Sequence, residues 1–449
     1  MKRRRNKLHS GKNKRSSWSK EIVIVIIGSG LTALSAGYKL EGRKDFVIFE
    51  KEKRVGGLAT SITKDNFIFD YSGHLLHLRW NETKKFVFDL LKENLLKLNR
   101  NAKIYLDGNY VNYPFQINLY NLPLNIKSEC VRDFLKAQLN KRKDSKNFRC
   151  WALNTFGKSI CKYFMFPYNE KLFSHPLDKM STAWLGNFVP RPDINTVLKG
   201  AYQKNIENIG YNPVFYYPKY GGIKSLTDKI ASKIKKIETD SEIVFTDFKK
   251  RTLTLKDGTK IKFKELINTA PLKKFILNSN APDSVIDAAK KLRHNRIYII
   301  NMGIKKTYFK EHWIYFPQKR FSFYRVGFYT NFSKNLAPYE NDSIYIEIST
   351  EEDGFINIEK ATSKIIKNLK ELKIIKNDDD IKTILQTQAE FGYVIYDLER
   401  EKSLKIIFDY LKKQNVISTG RYGGWKYSFM EENIKDGFEA ADILFKKDL

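Results

Sequence analysis

The stretch IVIVIIGSGLTALSAGYKL, Ile22 to Leu40, followed by FVIFE, Phe46 to Glu50, decides how the chain begins to fold. An unbroken β-branched run at Ile22–Ile27 suits a central parallel strand, which is covered on both faces. Gly28-Ser29-Gly30-Leu31-Thr32-Ala33 follows as a GxGxxA turn. Leu31 to Leu40 then reads as a helix of small and apolar residues, and Phe46–Phe49 as a second strand closing a βαβ unit. Gly28 permits the tight turn off the strand, Gly30 lets a diphosphate approach backbone, and Ala33 lets the helix pack near the sheet. The open N–H groups and the dipole of the helix start favour that diphosphate. Glu50 lies 22 residues after Gly28, where a carboxylate accepts hydrogen bonds from an adenosine ribose. An acid there argues against a ribose 2′-phosphate, and so against NADP.

Working outward, composition bounds the rest. A chain of 449 residues with 42% hydrophobic and 14% aromatic content is long and apolar enough for two or three domains with a large core. The net charge of +31 is high, but lysines scattered over helical faces are read as solubility rather than as a nucleic-acid or lipid footprint. Residues 1–20 hold nine Lys or Arg and no acid, and are expected to form a basic mobile tail. That tail has neither interleaved aromatics nor an amphipathic face, so neither a nucleic-acid partner nor stable membrane insertion is expected. No run approaches the ~20 apolar residues of a membrane span. Cys130, Cys150 and Cys161 form no CxxC and leave one over, which suits a reducing, cytoplasmic setting. The six histidines show no metal-ligand spacing.

The expected organisation is α/β. A dinucleotide-binding domain runs discontinuously through 21–80, 212–275 and 385–449. A mainly helical domain occupies 81–211, and an antiparallel β-rich substrate domain 276–384. Asn81 is expected to cap a helix reaching about residue 98. Strands are expected to dominate from Asp240, and a helix to return at 355–376.

Gly56-Gly57-Leu58 comes six residues after Glu50. It suggests a second loop passing over the cofactor, a feature NAD dehydrogenases usually lack. Together, GSGLTALSAG and FEKEKRVGGLATS resemble the start of the FAD-binding amine oxidase and protoporphyrinogen oxidase superfamily. That resemblance implies FAD and a Rossmann-like FAD-binding domain carrying a helical and a β-rich insertion. Later stretches narrow it: FDYSGHLLHL, YPFQ, PYNEKLF, MSTAWLG, NPVFYYPKYGG, HWIYF, FYRVGF, GYVIYD and GRYGGWKY. In this order they resemble UDP-galactopyranose mutase, from about Ile22 to the C-terminus.

The resemblance implies an isomerase that keeps FAD reduced and performs no net redox. Its flavin N5 attacks the anomeric carbon of the nucleotide sugar and expels UDP, so that the sugar recloses as a furanose. His74 would lie beside the flavin; the plainer reading is a satisfied core histidine. Arg325 sits in an apolar strand with no acid beside it in sequence, where a cation is costly unless it meets an anion. The resemblance makes it the grip on the substrate diphosphate; the plainer reading is a structural ion pair. Tyr113 and Gln116 match a uridine pocket, and Asn169 and Asn212 match sugar or uridine contacts, although Asn212-Pro213 is also a good turn. Trp313 joins them as a substrate contact, and Tyr315, Tyr393 and Tyr427 match tyrosines reaching the diphosphate. Any of these aromatics could equally be core. Gly420 and Arg421 would pass the flavin ring, with Trp425 and Tyr427 walling the cavity. A helix from about Asn433 would point its N-terminus at the pyrimidine.

The match breaks at Phe188, where the eukaryotic mutases place an arginine; Arg191 is the candidate replacement. Phe173 stands for a tryptophan, and the segment after WKY is shorter. The implied partners are a nucleotide sugar and an external reductant such as NAD(P)H; the sequence leaves the choice between a monomer and a homo-oligomer open. The alternative activity is an FAD-dependent oxidase or desaturase of the amine oxidase or protoporphyrinogen oxidase type. A non-catalytic flavoprotein or nucleic-acid binder working through the tail is a third reading.

Overall fold

The computed structural model describes residues 22–140, 145–186, 188–204 and 213–447. The basic tail and Asn212 lie outside the described residues. Ile22–Ile27 is a strand whose neighbours are both parallel, Phe46–Phe49 on one side and Lys260–Asn268 on the other. Ile237–Glu238 and Val416–Ser418 extend this parallel sheet at its two edges. An antiparallel hairpin, Ile243–Asp247 with Thr252–Leu255, continues from the start of Lys260–Asn268. Val25 and Ile26 are fully buried, as a strand covered on both faces requires.

The helix Leu31–Leu40 leaves the first strand and packs against the long helix Met430–Lys446. Gly437 sets their separation, since a Cβ there would lie 2.3 Å from the Thr32 carbonyl oxygen. This C-terminal helix starts at Met430, three residues before the expected Asn433. Buried Glu431 ties its start to the chain at 79–83, because one carboxylate oxygen accepts from the N–H groups of Arg79 and Trp80 and from the Thr83 hydroxyl.

The second sheet runs Ile381–Ala389, Arg293–Lys305, Asn341–Glu351, Arg325–Phe328, Trp313–Tyr315, Ala102–Leu106 and Asn109–Asn112. Its register sets Arg325 directly opposite Glu347 and Tyr315 opposite Arg325. Helices at Leu124–Leu139, Phe148–Ile160 and Ile194–Tyr202 pack together, and the helix Phe166–Phe173 brings Tyr168, Asn169 and Leu172 to the cavity. A π-helical turn at Cys161–Met165 precedes Phe166–Phe173.

Two local expectations are corrected. The helix starting at Asn81 ends at Leu91, where Lys92 turns left-handed at φ 47°. The alternating Leu-Lys-Leu-Asn at 96–99 has period two and forms a strand against Val214–Tyr217. Asn81 is the first helical residue rather than the cap, and Trp80 holds the cap position without a side-chain bond.

Candidate functional site

One continuous cavity of about 760 Å³ runs from the first βα turn to the second sheet. At its first end lie Gly28, Ser29, Gly30 and Glu50. Glu50 is buried at the end of its strand. One carboxylate oxygen accepts from the Ser29 N–H at 2.8 Å and the Ser29 hydroxyl at 2.6 Å, and the other from the Glu52 N–H at 2.9 Å. These bonds orient the carboxylate and use both lone pairs of Oε2, while Oε1 keeps one for a further hydroxyl. The helix at Leu31 starts after Gly30 with no side-chain cap and no acid in its first turn, so its N–H groups remain open to an anion.

Gly56 lies beside Gly30 in an isolated parallel bridge. Its N–H donates to the Ser29 carbonyl at 2.9 Å. Gly57 follows at φ +58°, and a Cβ on it would sit 3.3 Å from the Gly30 Cα. Two backbone crossings are thus stacked closely at Gly57 and Gly30, and the positive φ of Gly57 disfavours a side chain there. Leu58 also lines the cavity, and Arg54 props this loop by donating to the Gly57 carbonyl and the Tyr71 hydroxyl.

His74 lies midway. Its Nδ1 is 3.3 Å from the Ser72 carbonyl, which can only accept, so Nδ1 carries the hydrogen and Nε2 is left as an acceptor. Burial pushes the imidazole down to about 4, so it is neutral near pH 7. Arg421 approaches the same region. Its guanidinium donates to the carbonyls of Ser428 at 3.0 Å and Gly392 at 3.1 Å and lies 5.3 Å from the rings of both Tyr393 and Tyr427. No carboxylate pairs with it among the described residues. Gly420 and Ala33 do not line the cavity but stand behind it: Gly420 packs on Thr32, and Ala33 is fully buried under the first turn.

At the far end Tyr113, Gln116, Asn169, Trp313, Tyr315, Arg325, Tyr393 and Tyr427 all line the cavity. Gln116 is 1% exposed; its amide N–H donates to the Pro190 carbonyl at 2.8 Å, and its Oε1 has no partner. The indole N–H of Trp313 is likewise unpartnered. A buried polar atom without a partner costs about 1–3 kcal/mol, which a ligand bearing the complementary group would recover. Asn169 is half spoken for, since its Nδ2 donates to the Met165 carbonyl at 2.7 Å. The Tyr315 ring touches Tyr113 and Tyr168 at centroid distances of 5.3 and 5.0 Å.

Arg325 is where the expectation needs correcting. It does have an acid beside it: Glu347, across the strand pair and 1% exposed. The two form a bidentate ion pair, with Nη2 2.9 Å from Oε1 and Nε on Oε2. Ser72 closes the network by donating to Glu347 and accepting from Arg325 Nη2 at 3.1 Å. The strand has no acid in sequence because its acid comes from a neighbouring strand. Arg191 does not line the cavity; it is exposed, 5.1 Å from the Trp151 ring. Phe188 does line it, with its ring 4.5 Å from Tyr427. Trp425 also fails to wall the cavity: it is fully buried behind it, packed near His294 and Phe391. Sequence reasoning missed Glu347, Ser72 and Tyr168. The only signal for Tyr168 was its place in PYNEKLF, two residues into a quoted stretch.

Residues 26–93 match the family of NAD(P)-binding Rossmann-like domains. The whole fold is similar to a crystal structure of reduced UDP-galactopyranose mutase, with a TM-score of 0.90, 25% identity, and coverage of 95% of this chain and 96% of that one. It also superimposes on a putative protoporphyrinogen oxidase from Exiguobacterium sp. 255-15, with a TM-score of 0.74, 14% identity, and 95% and 99% coverage. A cyclohexylamine oxidase from Brevibacterium oxydans IH-35A gives a TM-score of 0.67 at 13% identity, with 95% and 99% coverage. At those identities the two oxidases share the fold alone.

Proposed function

We propose that this chain, a structural relative of UDP-galactopyranose mutase, is a flavoenzyme that interconverts the pyranose and furanose forms of a nucleotide sugar, UDP-galactose first. The observation that carries the reading is the single cavity joining a dinucleotide cradle to a tyrosine- and arginine-lined end. The cradle fits FAD: Glu50 would take the ribose hydroxyls, the open helix start at Leu31 the diphosphate, and the Gly56-Gly57 crossing the far side of the cofactor. Bound and reduced, the flavin would supply the nucleophile for the anomeric carbon.

The chain's own residues supply binding and electrostatics. The unpartnered Oε1 of Gln116 accepts an N–H from the base, and Tyr113 offers it a ring face. Arg325, held in place by Glu347 and Ser72, presents its remaining N–H groups to the diphosphate with Tyr315, Tyr393 and Tyr427 around it. Negative charge grows on that diphosphate as UDP departs, so donors fixed beforehand lower the barrier. Neutral His74 accepts a hydrogen bond through Nε2 near the reaction centre, and Arg421 favours an anionic ring beside it. The reductant would be external, NAD(P)H or dithionite.

The test is conversion of UDP-galactofuranose to UDP-galactopyranose, followed by chromatography. Turnover is expected after dithionite reduction and not in the oxidised enzyme. The second reading, an oxidase, is favoured by Glu347 neutralising Arg325 and by Phe188 in place of a cation, which suit a less anionic substrate. Peroxide release with amine or porphyrinogen substrates, and no sugar isomerisation, would establish it instead.

A further inference from the structure

Lys171 lies outside the cavity lining, yet its ammonium makes an unusual set of contacts. Nζ donates to three backbone carbonyls: Phe316 at 2.6 Å, Gln318 at 2.8 Å and Phe323 at 2.8 Å. All three hydrogens of the ammonium are therefore used, and no carboxylate pairs with it among the described residues. Burial pulls the group down to about 7, and the three carbonyls work against that shift because only the ammonium has a hydrogen for each of them.

The carbonyls belong to the loop joining Trp313–Tyr315 to Arg325–Phe328. Phe316, Phe321 and Phe323 bury their side chains, and the Phe316 and Phe323 carbonyls turn to Lys171 for a donor. Lys171 itself belongs to the helix Phe166–Phe173, which brings Tyr168 and Asn169 to the cavity. The same helix end is stitched to the strand of Glu347: Ser349 donates to the Lys171 carbonyl, and its hydroxyl lies 2.8 Å from that of Ser174.

We infer that Lys171 is a positioning residue for the substrate end of the site: its ammonium fixes the loop 316–323, and with it Tyr315 and Arg325, against the helix that presents Tyr168 and Asn169. The inference rests on the proposed nucleotide-sugar reading for what the site binds, but not for the clamp itself. The clamp sets the distance between the two walls, because the Tyr168 and Tyr315 rings meet at 5.0 Å across it.

The experiment compares the holoenzyme with Lys171→Met, which keeps the apolar stem, and Lys171→Arg, which restores a cationic donor. UDP is titrated by tryptophan fluorescence and by the flavin spectrum, and backbone hydrogen exchange is followed over 316–323. Lys171→Met is expected to weaken UDP binding by about tenfold or more, to speed exchange in 316–323, and to leave flavin content unchanged; Lys171→Arg recovers most of both. Wild-type exchange and wild-type UDP affinity in Lys171→Met would overturn the inference. If the wild-type enzyme bound no UDP, the nucleotide-sugar reading would fail, while faster loop exchange in Lys171→Met alone would still uphold the clamp. Should Lys171→Met not fold, Lys171→Gln carries the same two readouts.

Discussion

Arg325 and Glu347 have side chains only 16% and 1% exposed, so changing one of them does two things at once. Arg325→Met removes the proposed diphosphate grip and also leaves a buried carboxylate without its cation, still bonded by Ser72. Breaking a buried pair from one side costs about 3–5 kcal/mol. That is a large part of the ~5–15 kcal/mol by which folded proteins are stable. A loss of activity in this variant alone therefore says little about catalysis. The double variant Arg325→Met/Glu347→Gln separates the two, because no unpaired charge stays buried.

Urea unfolding of the single variants should show each losing about 3–5 kcal/mol, with the double variant recovering most of that loss. Its kcat/KM for UDP-galactofuranose should nonetheless stay at least about 10²-fold low, a loss of roughly 2.7 kcal/mol of transition-state stabilisation. The measurement is product formation by the dithionite-reduced enzyme at sub-saturating substrate, with flavin content checked on each sample. If activity returned along with stability in the double variant, Arg325 would be a structural cation and its place in the mechanism would be lost.

Gly57→Val should empty the cofactor site while the rest folds, since the change puts a branched Cβ at φ +58° and 3.3 Å from the Gly30 Cα. Absorbance near the flavin bands would read this, and full flavin content would contradict the stacked-crossing geometry. Acid should destabilise the chain through His312, whose Nδ1 accepts the Asn101 N–H at 2.9 Å and which burial pushes down to about 4. The unfolded chain takes up that proton first, at the ordinary 6.5, so stability is complete above about pH 6.5 and falls as pH drops toward 4. His312→Phe should lessen the slope of the unfolding-midpoint profile across that window, where His74 and His77, also pushed down to about 4 by burial, supply more of it; an unchanged slope would remove His312 as a contributor.

The first βα turn was legible because its constraints are local. Gly28, Gly30 and Glu50 are tied by one strand, one turn and one helix, and spacing along the chain fixes spacing in space. The far end was legible only as a set of residues brought together by resemblance, and their partners were not. Glu347 stands 22 residues from Arg325 in sequence, and only the antiparallel register sets them opposite. Tyr113, Asn169 and Tyr393 arrive from a hairpin end, a helix after a π-turn and a loop, and no local pattern announces that they share a cavity. The helix boundary at Leu91 was misread for a related reason. Four alternating residues become a strand only because Val214–Tyr217 is there to pair with them.

The charge balance at the far end now bears on the choice between the two activities. A diphosphate needs cations whose charge is not already cancelled. Arg325 enters the cavity paired with Glu347, and the position of a second expected arginine is taken by Phe188 against Tyr427. Arg421 has no carboxylate partner among the described residues, but it is bound to two carbonyls, on the proposed reading beside the cofactor ring rather than among the substrate-binding tyrosines alone. What still favours the anionic substrate is geometry: a bidentate pair leaves part of the guanidinium fork free, and those fixed donors act on charge that develops during reaction. On that account Glu347 orients Arg325 at a cost in ground-state affinity. On the proposed reading the enzyme should then bind its substrate weakly relative to the transition state, and Glu347→Gln should tighten UDP binding while lowering kcat. Weaker UDP binding with kcat unchanged would mean that Glu347 assists affinity instead, and the proposed division of labour between the two residues would not hold.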